Sequence, residues 1–289
     1  MFVKLFVDCL KTIGCCYFLA AGTLYTFQRK LQYLPAAQHP AHPRQLSRYF
    51  ESIEEVIVCT ADGHTLHGWH WPAVEGGRHA TVSILQLHGN AGNRMHRLRW
   101  AFMLRKQFGC AITLLDYRGY GGSSGQPSES GLILDALAGL RWLCARQARA
   151  DMKLVLHLES IGSAAGINAF SRLSVEEQSL FSGIVVEGGL SSCIELAQEK
   201  LSVFPLSVLM VDKWNATCSA AGKIHPQIHF LSLHGTRDVI VPMKYGQKLF
   251  EAVACEEKRF IQFTAGGHND LLDQPSYVDS LNSFYAELN

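Results

Sequence analysis

The segment Leu154-Val155-Leu156-His157-Leu158-Glu159-Ser160-Ile161-Gly162-Ser163-Ala164-Ala165-Gly166 decides the fold. Its apolar run 154–158 is typical of a buried strand, and a helical pattern follows at once. Ser160 stands where the strand passes into the helix, on the sharp turn that exposes a nucleophile. The N–H of Ile161 would lie at the helix N-terminus, where it can stabilise an oxyanion. We therefore predict Ser160 as nucleophile and Ile161 as an oxyanion-hole donor.

The pattern around Ser160 departs from G-x-S-x-G at one position. Leu158 stands where the pattern has glycine, and we expect its side chain to crowd a turn that is already strained. The literal match to G-x-S-x-G lies elsewhere, at Gly121–Gly125 around Ser123. There the chain continues through residues 126–128 before any helical pattern begins, so we interpret that match as coincidental.

Short apolar runs alternate with longer amphipathic segments along the rest of the chain, which predicts an α/β fold. We expect an eight-stranded, mostly parallel sheet with helices on both faces. The predicted strands are Glu55–Thr60, Leu66–Trp71, Val82–Leu87, Ala111–Leu115, Leu154–Leu158, Gly183–Val186, Ile228–Leu233 and Phe260–Phe263. The predicted helices are Arg94–Phe108, Gly131–Ala145, Ile161–Arg172, Met243–Ala254 and Ser276–Glu287. The long connection 188–227 has helical patterns of its own and is predicted to form a small lid.

Three more loops at strand ends carry candidate site residues. Because ligands bind at the carboxyl ends of parallel strands, residues just after each apolar run should meet there. Asp238 follows one strand and His268 follows the next, in the order Ser, Asp, His. The loop His88–Asn93 has glycines that let backbone N–H groups turn inward, so Asn90 or Ala91 would complete the oxyanion hole.

The pattern of residues at the amino-terminus predicts a membrane anchor. Residues 12–28 carry no charge, and the run is near the length needed to cross a bilayer. The alternatives are a signal peptide and an amphipathic helix that lies on the membrane surface. Against a signal peptide, the apolar stretch runs directly into Arg29-Lys30 without a clear cleavage site. We predict an anchor at 1–30, a linker at 31–50 and a catalytic domain at 51–289. The distribution of Lys and Arg on the two sides favours a cytosolic catalytic domain.

Composition excludes several other classes of protein. The 26 Lys and Arg residues nearly balance the 25 Asp and Glu residues, so binding to nucleic acid is not expected. The nine cysteines are scattered, without the close pairs of a metal site. His67 and His70 point to opposite faces of a strand and cannot share a metal. We expect no metal and no organic cofactor.

With these loops identified, the sequence resembles the membrane-anchored branch of the α/β-hydrolase-domain (ABHD) proteins over nearly its whole length. That group includes acyl-protein thioesterases, lysophospholipid and monoacylglycerol lipases, and relatives classed as serine peptidases. The resemblance implies the α/β-hydrolase fold and an amino-terminal anchor followed by Phe27-Gln28. The motifs that carry it are Thr60–Gly63, His88–Asn93, Asp116–Gly121, Glu187, Asp212–Asn215, His234–Asp238 and Gly267–Asp270.

The predicted activity is that of a membrane-associated serine hydrolase. It would cleave the acyl ester or thioester of a lipid or an acylated protein through Ser160, Asp238 and His268. Two alternatives remain open from the sequence. Leu158 favours a catalytically inactive hydrolase fold that only binds, and the resemblance also allows a serine peptidase.

Overall fold

The computed structural model describes residues 2–41, 52–146 and 151–288. Its strands, numbered along the chain, are β1 (Leu34–Pro35), β2 (Glu54–Cys59), β3 (Thr65–Trp71), β4 (Val82–Leu87), β5 (Ala91–Gly92), β6 (Ala111–Leu115), β7 (Lys153–Glu159), β8 (Phe181–Glu187), β9 (His229–Gly235) and β10 (Lys258–Phe263). Eight of them form one sheet, and β1 pairs separately with β5.

Helices are present at all five segments predicted for the domain, and further short helices lie between them. The helices are α1 (Phe2–Gln32), α2 (Leu98–Phe108), α3 (Glu129–Ala145), α4 (Ile161–Phe170), α5 (Val175–Gln178), α6 (Cys193–Lys200), α7 (Leu206–Leu209), α8 (Ala216–Ala220), α9 (Met243–Ala252) and α10 (Tyr277–Glu287). A 3₁₀ turn at Arg94–Arg97 leads into α2, so the predicted helix Arg94–Phe108 is divided into two pieces.

The order of strands in the sheet is β10-β9-β8-β7-β4-β6-β3-β2. The strands β2 and β3 form an antiparallel hairpin, β3 also pairs antiparallel with β6, and the other neighbours are parallel. One core cluster packs α3, α4 and α9 against the sheet, and a second packs α2 and α10 on the other face. The predicted eight-stranded, mostly parallel sheet with helices on both faces is confirmed.

The strand β7 lies at the centre of the sheet, between β4 and β8. Its residues 154–158 are all buried, as expected for a parallel strand covered on both faces. The carboxyl ends of β4, β7, β8, β9 and β10 all open on the same edge of the sheet. The loops that carry the candidate site residues therefore converge there.

The connection predicted as a lid, 188–227, holds the short helices α6, α7 and α8. The helix α1 is 31 residues long, and by length and composition it could cross a membrane. The described part of the predicted linker is packed against the domain. Tyr33 is buried, and Leu34–Pro35 pair with Ala91–Gly92. Residues 42–50 of that linker lie outside the described residues.

The motif Asp116–Gly121 stabilises the fold through the buried carboxylate of Asp116. The Asp116 carboxylate is fully buried, accepts a hydrogen bond from the Arg94 backbone N–H at 2.6 Å and forms an ion pair with the Arg94 guanidinium, which is also fully buried. His88 Nε2 lies 3.3 Å from the same carboxylate. Burial alone would raise the pKa of Asp116, but His88 and Arg94 outweigh it and hold the pKa below its usual range. This network fixes the loop after β4 to the loop after β6.

We expect Asp116→Asn to lower the free energy of unfolding by about 3–5 kcal/mol, because it leaves the buried charge of Arg94 without a counter-charge. Denaturant titration of the full chain in detergent measures the loss. The matched control is Asp273→Asn, which breaks an exposed ion pair with Arg99 and should cost far less. Equal losses in the two variants would contradict this role for Asp116.

Candidate active site

Ser160 lies on the turn between β7 and α4 and adopts the strained conformation expected of an exposed nucleophile, with φ 53° and ψ −120°. Its backbone N–H donates to the Glu187 carbonyl oxygen at 2.9 Å, which ties the turn to β8. The helix begins so close to β4 that a Cβ on Gly162 would overlap the Leu87 carbonyl oxygen. Only glycine at 162 allows this approach, so the sequence after Ser160 permits the sharp turn.

Leu158 does not crowd the turn, contrary to our expectation from the sequence. It lies within β7 in regular register with Leu87 and Val186, and its side chain is fully buried. The branched end of the side chain occupies the space above Gly166, where any Cβ would overlap it. The G-x-S-x-G pattern has glycine at position 158, on the strand. Here the strand has Leu158, and the glycine that leaves space between strand and helix is Gly166, on the helix. The contact gives Leu158 room without changing the backbone at Ser160.

His268 joins Ser160 to Asp238 by two hydrogen bonds. Its Nε2 lies 2.9 Å from Ser160 Oγ, and its Nδ1 lies 2.6 Å from Asp238 Oδ2. The three residues come from the ends of β7, β9 and β10, and all three side chains are mostly buried. The structure therefore brings the three predicted residues together in one chain of hydrogen bonds.

The Asp238 carboxylate is held in its ionised form. Burial would raise its pKa, but hydrogen bonds with His234 and His268 and from the Val241 backbone N–H overcome this and hold the pKa well below its usual range. Its Oδ1 accepts the N–H groups of Ile240 and Val241 at 2.9 and 2.7 Å. An ionised carboxylate in this position keeps the proton of the imidazole on Nδ1.

The predicted oxyanion-hole residues fall in two places. Ile161 is the first residue of α4 and lines the same cavity as Ser160 and Asn90. The Asn90 carbonyl oxygen accepts a hydrogen bond from Tyr120 Oη at 2.9 Å, which fixes this loop. Ala91 lies in β5, paired with Leu34. Asn90 and Ile161 thus line the cavity that contains Ser160, and Ala91 is not among its lining residues.

Within the described part of the chain, two cavities reach the candidate site. The first, of about 420 Å³, contains Ser160 and Ile161 and is walled mostly by apolar side chains. The second, of about 250 Å³, reaches His268 and is lined by polar and charged groups, including Arg97, Glu159 and Glu187. The first lies in the range of about 300–1,000 Å³ that is usual for small-molecule sites, and the second is slightly smaller than that range. The site thus has an apolar side at the serine and a polar side at the histidine.

Known proteins resemble the chain both in sequence and in structure. The uncharacterized membrane protein YNL320W of Saccharomyces cerevisiae is 30% identical over 93% of this chain and 92% of that protein. The α/β-hydrolase domain-containing protein WAV2 of Arabidopsis thaliana is 29% identical over 86% of this chain and 83% of its own length. The chain belongs to the α/β-hydrolase-domain family. No family model matches it.

The fold of this α/β-hydrolase-domain protein also occurs in solved structures. The esterase Pf2001 of Pyrococcus furiosus superposes with a TM-score of 0.63 at 20% identity, covering 89% of this chain and 96% of the esterase. At that identity the likeness concerns the fold. Membership of the family supports a hydrolase, in agreement with the expectation from the sequence.

The literal G-x-S-x-G of this α/β-hydrolase-domain protein is a structural loop. Ser123 is buried, and its Oγ accepts the His67 backbone N–H at 2.9 Å and donates to the Asp116 carbonyl oxygen at 3.1 Å. Both the donor and the acceptor capacity of this hydroxyl are therefore used to hold β3 against the loop after β6.

Among the described residues, His39, Glu55 and His67 bring three possible metal ligands within 4.8 Å of one another. The sequence analysis did not find this group, because His39 and Glu55 are distant along the chain. The Arg94 guanidinium lies 3.5 Å from His39 Nε2. Burial, His39 and Arg94 together lower the pKa of His67. The neighbouring positive charge disfavours a cation, so we assign no metal to the group.

The sequence analysis also missed the polar network on the histidine side. Arg97 forms an ion pair with Glu159, at 2.6 Å between Nη2 and Oε1, and His157 Nε2 lies 2.6 Å from Glu187 Oε1. Tyr277 donates a further hydrogen bond to Glu187. Glu159 and Glu187 are the last residues of β7 and β8. Their position at strand ends is the feature of the sequence from which the network could have been predicted.

Changing both members of the pair Leu158 and Gly166 should cost less than the sum of the single changes. Gly166→Ala is expected to destabilise the protein by about 1–3 kcal/mol through overpacking, and Leu158→Ala by about 2–5 kcal/mol through a cavity. The combined variant fills that cavity with the new methyl group. Denaturant unfolding of the four proteins gives the coupling, expected at about 0.5–3 kcal/mol. As a control, Val155→Ala with Gly166→Ala should be additive, because Val155 faces the opposite side of β7 and belongs to the other core cluster. Additivity in the Leu158 pair as well would refute the contact.

The stabilising effect of Asp238 should depend on pH in the acid range. Because the pKa of Asp238 is depressed in the folded protein, its contribution is complete above the ordinary value of about 3.9 and is lost as the pH falls toward the folded value. The difference in unfolding free energy between wild type and Asp238→Asn should therefore shrink below about pH 4. Unfolding titrations between neutral and acid pH measure it. A difference that stays constant with pH would be the contrary result.

Proposed function

We propose that the protein is a membrane-associated serine hydrolase that cleaves an acyl ester or thioester through an acyl-enzyme. The observation that carries the proposal is the chain of hydrogen bonds from Ser160 Oγ to His268 Nε2, at 2.9 Å, and from His268 Nδ1 to Asp238 Oδ2, at 2.6 Å. This is the arrangement in which a histidine can activate a serine while a carboxylate orients the ring.

In the first half of the reaction, Ser160 Oγ attacks the acyl carbonyl carbon while His268 Nε2 takes its proton. The backbone N–H groups of Ile161 and Asn90 are the proposed donors to the negative oxygen of the tetrahedral intermediate. His268 then gives its proton to the departing alcohol or thiol, which leaves the acyl group on Ser160. Asp238 stabilises the imidazolium throughout without taking a proton.

In the second half, water replaces the leaving group. His268 takes a proton from the water as its oxygen attacks the acyl-enzyme carbonyl, and returns that proton to Ser160 Oγ as the acid departs. The residues of this chain supply every proton transfer, so we propose no metal and no cofactor for the reaction.

The two cavities support an amphipathic substrate. The cavity at Ser160 has mostly apolar walls suited to an acyl group, and the cavity at His268 has polar walls suited to a leaving group that must be protonated there. This division favours an acyl ester or thioester over a peptide, since a peptide has polar backbone on both sides of the scissile bond.

The helix α1 supports the proposed attachment to a membrane through a single-pass anchor at 1–30. We also propose, from the distribution of Lys and Arg, that the catalytic domain at 51–289 lies on the cytosolic side. Over Lys4–Gln32 the helix is long and apolar enough to span, and only 6% of its most apolar window is buried inside the protein. A helix with so little covering protein has its apolar surface free for lipid. Resistance to extraction by alkaline carbonate would support the anchor, and protection of the domain from added protease in sealed vesicles reports its side.

A fluorophosphonate probe should label the wild type, and Ser160→Ala should abolish the labelling. The matched control is Ser123→Ala, which changes the serine of the literal G-x-S-x-G and should retain labelling. His268→Ala and Asp238→Asn should each lower kcat for a p-nitrophenyl ester by about 10⁴-fold, because the serine then lacks an oriented base. Gel detection of the probe and steady-state kinetics are the measurements.

Thermal unfolding of each variant shows whether it is folded. Absence of labelling in folded wild-type protein would refute the proposal and support the catalytically inactive binding protein. Cleavage of peptide anilides in preference to esters would support the peptidase instead.

A further inference from the structure

One wall of the apolar cavity belongs to α1 itself. The side chains of Leu24, Tyr25, Gln28, Leu31 and Gln32 line the cavity that contains Ser160. Their spacing places them along one stripe of the helix. The lid contributes the facing side chains, among them Leu196, Leu206 and Leu209. The same helix that has the length of a membrane span is therefore also part of the cavity at the nucleophile.

Polar contacts fix this wall to the lid. Arg29 Nε donates to Asp212 Oδ2 at 2.9 Å, and the Asp212 side chain is almost fully buried. Gln28 donates to the Leu209 carbonyl oxygen at 3.2 Å and accepts the Val211 N–H at 2.7 Å. These bonds, all from the turn that contains Gln28 and Arg29, hold α1 against the end of α7 and the residues that follow it.

The wall overlaps the part of α1 that is suited to a bilayer. Residues 12–28 carry no charge, and at a rise of about 1.5 Å per residue they extend about 25 Å, somewhat less than the hydrocarbon core of about 30 Å. The wall residues Leu24, Tyr25 and Gln28 belong to this uncharged run. The cavity therefore begins at the end of the span that is nearer the domain.

The lid extends along α1 toward the membrane and exposes apolar side chains there. The Tyr17 ring stacks on Phe204 with 5.3 Å between centroids, and Tyr17 Oη donates to the Val203 carbonyl oxygen at 3.1 Å. Val203 is 71% exposed and Val208 79%. Large exposed apolar side chains beside an apolar helix are typical of a surface that enters lipid.

We propose that residues 24–32 of α1 and the lid together form an acyl-chain site that opens toward the bilayer. A long, unbranched fatty acyl chain would enter from the membrane between α1 and the lid, with its carbonyl at Ser160 and its polar part on the side of His268. This inference rests on the proposed function and adds the substrate class. The anchor then has two roles, since it attaches the enzyme and selects the chain length.

Narrowing the wall in the full chain tests the proposal. We expect Leu24→Trp and Leu31→Trp each to lower the ratio of kcat/KM for p-nitrophenyl palmitate to that for p-nitrophenyl acetate by at least about tenfold, because the larger ring occupies space needed by the long chain. The control is Leu19→Trp, on the same helix at a side chain that does not line the cavity, and it should leave the ratio unchanged.

Palmitate release from a lysophospholipid and from an S-palmitoyl peptide, both in phosphatidylcholine vesicles, distinguishes the two sources of the chain. Whichever of them the wild type cleaves should be cleaved more slowly by the two tryptophan variants than by the control.

Hydrolysis of acetate by both tryptophan variants with an unchanged ratio would overturn this inference and leave the proposed function intact. A wild type that hydrolyses no ester and takes no fluorophosphonate label would overturn both. Since the two substitutions lie two turns apart on α1, failure of one variant to fold still leaves the other to decide.

Discussion

The close approach of α4 to the end of β4 is the constraint on which the site depends. Gly162 lets the helix begin against the Leu87 carbonyl oxygen, and this forces Ser160 into a backbone conformation with φ 53°. A residue held in such a conformation persists only when its surroundings determine it fully. The bond from the Ser160 N–H to Glu187 and the central position of β7 provide that support. His268 and Asp238 then need only reach the same edge of the sheet, which the parallel order of β8, β9 and β10 ensures.

The pair Leu158 and Gly166 shows how a site can keep its geometry while its motif changes. A glycine two residues before the nucleophile removes a side chain between strand and helix. In this chain the same space is made by a glycine on the helix, and the leucine fills it. The constraint is therefore on the combined volume at the contact between β7 and α4, and a pattern confined to five consecutive residues does not describe it.

Much of the fold could be predicted because it depends on local signals. Buried parallel strands read as apolar runs and helices as amphipathic segments, and the order Ser160, Asp238, His268 follows the strand ends. What the sequence could not supply were contacts between distant segments. The fit of Leu158 against Gly166, the pairing of Leu34 with Ala91, and the network of Glu159 and Glu187 each require the positions of two elements at once. The predicted crowding by Leu158 was wrong for this reason, since the strand was considered without the helix that packs on it.

The contacts between α1 and the lid determine which form of this protein is suitable for biochemical experiments. Removing α1 to obtain a soluble domain would uncover the apolar side chains of α6 and α7 that face it, and would leave the buried Asp212 without Arg29. A cut after Tyr33 would also remove the hydrogen bonds that Tyr33 forms with Asp212 and with the indole N–H of buried Trp214. A protein without α1 would lack one wall of the cavity at Ser160, so a screen of substrates or inhibitors on it would not report the specificity of the full chain. Work on the native specificity therefore calls for the full chain in detergent, a nanodisc or a vesicle.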